Sequence, residues 1–127
     1  MGSKKFGIFA VMAAAVCLLA GSALALSNDD AMGYFDCTKN GETFYLYIDD
    51  ASYGDLRVTF NSDSDSNELF IGAGELEGKT LKAYDGDDYY VTLTFQNEDT
   101  VKVKAGKRVK EDIGTTLDGT YKRHYGK

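Results

Sequence analysis

Few residues in this chain have the chemistry of a catalytic centre. His124 is the only histidine, and Cys37 is the only cysteine that follows the apolar N-terminal segment. A histidine can act as the base that activates a cysteine nucleophile, so these two residues are formally a candidate dyad. His124 lies outside every predicted strand, however, and no residue pattern orients it toward Cys37. We therefore predict that the protein has no catalytic residues and is not an enzyme.

Carboxylates are numerous, but their pattern predicts no metal site. Residues 61–68 alternate acidic and hydroxyl side chains in a way that suggests a calcium loop. An EF-hand loop needs glycine at its sixth position and glutamate at its twelfth. Counted from Asn61, these positions hold Ser66 and Gly72, and counting from Asp63 places neither required residue. We expect a solvated loop here, with no metal ion and no cofactor.

The candidate partner-binding residues are three tyrosines, Tyr45, Tyr47 and Tyr90. Each alternates with aliphatic residues along a predicted strand, which places its ring on the outer face of the sheet. Amphipathic rings on a sheet surface suit contacts with proteins or glycans. The alternative is that these rings form cross-strand aromatic pairs that only stabilise the sheet.

Charge is distributed unevenly along the chain. Residues 26–101 contain 17 acidic and four basic side chains, whereas residues 102–127 contain three and eight. The acidic balance disfavours nucleic acid and favours a cationic macromolecule as partner, although it also keeps a small exported protein soluble. The basic residues form a patch that is either a solvated edge or a contact with an anionic envelope surface. They are Lys102, Lys104, Lys107, Arg108 and Lys110.

Short predicted strands position these side chains, most clearly in a hairpin over residues 84–105. On its first strand Val91, Leu93 and Phe95 share the inner face and are predicted to be core. On its second strand, alternation places Thr100 in water together with its neighbouring lysines. A second hairpin is predicted at Asn40-Gly41, because both central residues of a type I′ turn need positive φ.

Eight short strands in regular succession predict an all-β protein. They are residues 33–38, 43–49, 56–60, 69–74, 80–84, 89–95, 100–105 and 116–122. The simplest topology is a single eight-stranded antiparallel meander barrel, whose interior is filled by side chains or holds one small ligand. Closure would pair the first strand near Gly33 with the last near Gly119 and so remove exposed edges. A two-sheet β-sandwich is the alternative.

Further expectations concern two loops, two glycines and Cys37. Residues 61–67 and 106–114 are predicted to be loops, the second with room for a helical turn. Gly72 and Gly74 suggest a bend or bulge in their strand. Cys37 is expected to be mostly buried, as a small hydrophobe.

The N-terminus has the features of a secretory signal. Lys4 and Lys5 precede an apolar run over residues 6–20, and Ala23-Leu24-Ala25 forms a cleavage site. We therefore predict a cleaved signal peptide at 1–25, a flexible leader at 26–32 and a β-barrel domain at 33–127. The protein would then be exported, periplasmic or secreted, as a monomer with no membrane span after processing. A retained membrane anchor is the alternative.

The chain resembles small exported bacterial barrels of the lipocalin-like kind. Residues 34–44, which read Tyr-Phe-Asp-Cys-Thr-Lys-Asn-Gly-Glu-Thr-Phe, are similar to the first hairpin of periplasmic C-type lysozyme inhibitors. Residues 117–122 resemble the final strand of exported small barrels. The inhibitors' Ser-Gly-x-x-Tyr loop is absent, so no inhibitory residue carries over. The resulting hypothesis is a non-catalytic binding module of unknown ligand, with inhibition of a cationic hydrolase such as lysozyme as the alternative function.

Overall fold

The computed structural model describes residues 25–113 and 117–124, with the backbone alone at 65 and 66. Its elements are, in chain order, α1 (Asn28–Ala31), β1 (Gly33–Lys39), β2 (Glu42–Asp50), β3 (Leu56–Ser62), β4 (Asp65–Gly74), β5 (Leu76–Glu77), β6 (Thr80–Tyr84), β7 (Tyr90–Asn97), β8 (Thr100–Ala105), α2 (Lys107–Ile113) and β9 (Gly119–Arg123). The signal peptide predicted at 1–25 lies outside the described residues except for Ala25. None of the helices in the described ranges is long and apolar enough to cross a membrane.

The first hairpin forms as its turn residues predict. Asn40 and Gly41 both have positive φ, 53° and 80°, and Lys39 pairs with Glu42. Because two residues connect the strands, the register of β1 and β2 is fixed along their whole length. Tyr34 consequently lies opposite Tyr47, and Asp36 lies opposite Tyr45.

Eight strands close into the predicted all-β barrel. All pairings are antiparallel, and the ring order is β1-β2-β3-β4-β6-β7-β8-β9, with β9 returning to β1. β5 is a short ninth strand paired with β6. The predicted union of first and last strands is confirmed, but the pairs are Phe35 with Arg123 and Asp36 with Lys122, further along both strands than expected.

The glycines of β4 serve the seam between β4 and β6, where Ala73 pairs with Tyr84. A Cβ at Gly74 would collide with the backbone carbonyl of Lys82. The bulge predicted as one possibility is not formed at these glycines, because β3–β4 pairing is regular from Gly72 to Gly74 and the register shift lies between Phe60 and Ser62. Glycine is required here for close strand approach.

Inward-facing side chains fill the barrel. Rings from strands that are not neighbours meet across it, with Phe35 and Phe95 centroids 6.0 Å apart and Phe60 and Tyr121 centroids 5.6 Å apart. The predicted core residues Val91, Leu93 and Phe95 are all fully buried. The Tyr121 hydroxyl donates to the Leu117 carbonyl at 2.8 Å, and burial raises the pKa of this phenol. The interior thus consists of side chains in mutual contact.

One end of the barrel is closed by α1, where the sequence predicts a flexible leader. Ser27 and Asp30 form a capping box, and Ala31 is buried. Arg123 binds this segment from β9, donating to the carbonyls of Asp30 at 2.6 Å and Met32 at 2.7 Å. The structure therefore places a capped helical turn, packed against the core, where a polar leader was expected.

The other end is covered by α2, where a loop with room for a helical turn is predicted. Val109 is buried, and Arg108 and Lys110 form ion pairs with Asp88 and Asp118 at 2.9 and 3.3 Å. Val109 joins the core cluster although the surrounding sequence is basic. Val109 and the partly buried Ile113 pack against the core, and with the flanking ion pairs they fix a helix that periodicity does not reveal.

Two further expectations are wrong. Thr100, predicted to face water, is 7% exposed because Lys122 of β9 pairs with it and places its Nζ 3.3 Å from the threonine hydroxyl. The loop predicted at 61–67 is a tight hairpin instead, since β3 ends at Ser62 and β4 begins at Asp65. Side chains in this stretch are polar on both faces, so alternation does not mark the strands.

Candidate functional site

An exposed tyrosine pair dominates the outer surface of β1 and β2. The rings of Tyr34 and Tyr47 lie 5.0 Å apart, with 54% and 42% of their surfaces exposed. Tyr45 lies beside them on the same face, half-buried opposite Asp36. Two large aromatic side chains left this exposed mark a surface that can bury considerable apolar area against a partner.

Charged groups surround the pair. Asp36 contacts His124 Nδ1 at 3.0 Å, and Asp49 accepts two hydrogen bonds from Arg57, at 3.1 and 2.5 Å. These hydrogen bonds raise the pKa of the Arg57 guanidinium. These hydrogen bonds hold the carboxylates of Asp36 and Asp49 beside the rings.

Two open depressions lie on either side of the pair. One, of about 320 Å³, is lined by Tyr34, Asp36, Tyr45 and His124. The other, of about 380 Å³, extends over β3 and β4 and includes Glu68 and the exposed Ile71. We call this surface the tyrosine–acid face. Its members are Tyr34, Asp36, Tyr45, Tyr47, Asp49, Arg57, Glu68, Ile71 and His124.

The three predicted binding tyrosines do not share one surface. Tyr45 and Tyr47 are on β2, whereas Tyr90 is on β7, four strands away around an eight-stranded ring and therefore on the opposite wall. There its ring pairs with that of Tyr84 at 5.4 Å, and the Lys82 ammonium lies 4.7 Å from its centroid. One partner of ordinary size cannot contact all three residues on one flat interface.

Tyr34 is the member that sequence reasoning missed. It lies at the start of β1, before the first inward-facing residue, Phe35, so alternation is not yet established there. The signal was present in the turn: once Lys39 pairs with Glu42, counting back five residues along β1 and forward five along β2 places Tyr34 opposite Tyr47. Register from the turn, rather than alternation within the strand, identifies the pair.

The formal cysteine–histidine dyad does not form. Cys37 packs against the core cluster on the inner side of β1, whereas His124 contacts Asp36, the neighbouring residue whose side chain points outward. Cys37 is only partly buried rather than mostly buried as expected, and burial raises the pKa of its thiol. The sheet therefore separates the two groups.

A second missed residue is Tyr53, which is fully exposed in the β2–β3 loop. The loop is compact: Ala51 N–H donates to the Asp55 carbonyl at 2.9 Å, and Asp55 N–H donates to the Ser52 carbonyl at 3.1 Å. Asn28 of α1 anchors it by donating to the Gly54 carbonyl at 2.9 Å. Tyr53 adopts φ 58°, a left-handed conformation that few non-glycine residues occupy.

Among residues 25–113 and 117–124, no group of three or more His, Cys, Asp or Glu side chains is arranged to hold a metal ion. This includes the acidic stretch that precedes and begins β4, as far as its side chains are described.

The chain matches no protein-family model, no curated protein sequence and no solved structure. The resemblance to lysozyme inhibitors therefore stays a prediction from residues 34–44.

Proposed function

We propose that this protein is an exported, non-catalytic binding module, and that its partner binds the tyrosine–acid face. The observation that carries the proposal is the Tyr34–Tyr47 pair, about half exposed on a rigid two-strand scaffold. Tyrosine supplies a large amphipathic contact area at a small cost in conformational entropy. The adjoining depressions provide the concave relief that such anchors use.

Charge favours a cationic protein as the partner. Asp36, Asp49 and Glu68 lie on the face, within a region whose acidic residues far outnumber its basic ones. A negative field accelerates encounter with a cationic surface, and the tyrosines then supply the short-range contacts. Export is supported by the basic, apolar and small-residue order of residues 1–25.

A lysozyme is a suitable cationic probe for this proposal. Binding should be measured calorimetrically at low and at physiological salt, for the unaltered chain and for Tyr47→Ala. We expect salt to weaken binding, and Tyr47→Ala to weaken it by about tenfold or more, as for a central aromatic anchor.

The matched control is Tyr84→Ala. Tyr84 is also 42% exposed and also pairs with a neighbouring tyrosine, but it lies on β6, three strands away from Tyr47 in the ring. Equal losses for Tyr47→Ala and Tyr84→Ala would remove the tyrosine–acid face as the binding surface. Salt-sensitive binding that neither variant changes would indicate non-specific charge attraction.

Inhibition of a cationic hydrolase is the second candidate, and the Tyr53 loop favours it. An inhibitor of this kind needs a compact projecting segment that enters a cleft, and this loop is short, internally hydrogen-bonded and anchored to α1. Asp50 and Asp55 flank it with negative charge. A lysozyme activity assay with the unaltered chain and Tyr53→Ala tests this function. Binding without any loss of lysozyme activity would leave the binding module alone.

A further inference from the structure

A second charged surface lies on the outer wall of β6–β9. Cross-strand register places Lys82, Thr92 and Lys104 in one row and Thr80, Thr94, Lys102 and Thr120 in the next. All but the half-buried Thr92 are exposed. Lys107 and Lys110 of α2 border the rows, and with them these residues form what we call the lysine–threonine face.

Three ammonium groups of this face are available to a ligand, whereas that of Lys82 lies 4.7 Å from the centroid of the Tyr90 ring. Within the described ranges, Lys102, Lys104 and Lys107 form no ion pair, whereas Lys110 pairs with Asp118. Glu111 is the one carboxylate that lines the adjoining depression in those ranges, at its α2 rim. Neighbouring threonine hydroxyls can both donate and accept hydrogen bonds. Uncompensated lysines between hydroxyl groups form a surface suited to anionic groups.

The aromatic and hydroxyl components favour a sugar polymer over a bare polyanion. Tyr90, Thr92, Thr94 and Lys104 line a depression of about 680 Å³. A second depression, of about 390 Å³, continues it across β8 to Thr120. An aromatic ring beside hydroxyls and an ammonium matches an acidic sugar, which offers an apolar ring face, hydroxyls and a negative group.

Acidic turns at both ends of the strands restrict how the ligand lies. The β6–β7 turn carries Asp85 and Asp87, both exposed, and the β7–β8 turn carries Glu98 and Asp99. A planar anionic membrane would press against both turns. A linear chain that crosses the strands, following the row from Lys82 to Lys104, passes between them. The charge pattern therefore favours a linear polymer over a planar membrane surface as the ligand.

We propose that the lysine–threonine face binds a linear anionic polysaccharide that runs across β6–β8. This site is independent of the tyrosine–acid face, because it lies on the opposite wall of the ring. Strands about 4.8 Å apart place Lys82 and Lys104 about 10 Å from each other, on either side of Thr92. That separation lets consecutive charged sugars contact different lysines.

Heparin oligosaccharides test the proposal by fluorescence anisotropy with the full chain. Lys104→Gln should weaken binding about two- to fivefold, the effect of one exposed ion pair, and a Lys102→Gln/Lys104→Gln double variant about tenfold. Tyr90→Ala should weaken it further without altering its salt dependence. Lys79→Gln is the matched control, because it removes one lysine outside the face and should leave affinity unchanged.

Two competing ligands define the outcomes that overturn the proposal. Inorganic polyphosphate that binds as tightly as heparin, with no effect of Tyr90→Ala, would show charge attraction without sugar recognition. Phosphatidylglycerol vesicles that bind more tightly than heparin would indicate a membrane surface instead. Absence of heparin binding at low salt, or equal losses for Lys104→Gln and Lys79→Gln, would also overturn it. Unchanged thermal melts of the variants show that each loss reflects the site.

Discussion

Replacing Phe95 with Ala should destabilise the barrel more than most single substitutions. Phe95 is fully buried on β7, packs edge-on against Phe35 from across the barrel, and lies opposite Val101 of β8. Truncating a buried phenylalanine to alanine lowers the free energy of unfolding by about 3–5 kcal/mol, because transfer free energy is lost and a cavity remains. A closed ring of strands collapses poorly around such a cavity, so we expect the upper half of that range. For a domain with a total stability of about 5–15 kcal/mol, this is a large fraction.

Urea denaturation followed by far-UV circular dichroism measures this loss. The midpoint should fall while the m-value stays constant, because the surface exposed on unfolding hardly changes. Gln96→Ala is the control, since Gln96 is the next residue on β7 and is exposed, and it should shift stability by less than about 0.5 kcal/mol. A loss below about 1 kcal/mol for Phe95→Ala would refute the assignment of the inner face.

Three further predictions follow from individual contacts. Arg123→Ala should lower the unfolding free energy in urea melts by about 2–3 kcal/mol, because the guanidinium donates hydrogen bonds to the carbonyls at the end of α1. An equal loss for Lys122→Ala, at the exposed neighbouring residue, would contradict this. Cys37 should react slowly with a thiol reagent in native buffer near pH 8 and rapidly in urea, because burial raises its pKa; fast native labelling would show an accessible thiolate. Burial and a 2.7 Å hydrogen bond to Asp112 raise the pKa of Tyr89 to about 12, so the phenolate absorbance that Tyr89→Phe removes should have its midpoint there. The stabilisation that the protonated Tyr89 phenol contributes is complete below the unfolded pKa of about 10 and is lost as pH rises through 12. A titration midpoint near 10 would contradict the hydrogen bond to Asp112.

Alternation and turn chemistry predicted most of the barrel wall, except for the tight hairpin between β3 and β4. β7 shows why: Val91, Leu93 and Phe95 face inward between polar neighbours, and the structure buries all three. Asn40-Gly41 likewise specifies a turn that few other dipeptides form, and its register then follows. These features are encoded within a few adjacent residues, so one sequence reveals them.

The parts that were predicted wrongly depend on residues distant in the chain. Arg123 of β9, more than 90 positions away, donates hydrogen bonds to the carbonyls at the end of α1. No local sequence pattern predicts those hydrogen bonds. Thr100 is buried by Lys122, which reaches it only because β8 pairs with β9. Gly74 is explained by the backbone of β6, not by its own strand. Tertiary contacts determine the structure at these positions, and the local periodicity of the sequence does not encode such contacts.

The candidate site was predicted in part for the same reason. Alternation on β2 correctly predicts that Tyr45 and Tyr47 face outward. It does not reveal that Tyr90 lies on a different wall, because that depends on the position of β7 in the ring. The fully exposed Tyr53 has no period to identify it, because it lies in a loop. The backbone hydrogen bonds that make the loop compact are visible only in three dimensions.

The position of the two charged faces determines how they can act together. β3, under the tyrosine–acid face, and β8, under the lysine–threonine face, are four strands apart in the ring and therefore opposite. Eight strands about 4.8 Å apart, tilted by about 40°, give a ring about 16 Å across before side chains are added. The Debye length at physiological salt is about 8 Å, so charges on one face are largely screened from ligands on the other. The proposed cationic protein and the proposed anionic polysaccharide would therefore not compete for this barrel, and each face would keep its own affinity while the other is occupied. If both proposals hold, a chain that is acidic overall would recruit a cationic protein to an anionic polymer through two separate surfaces.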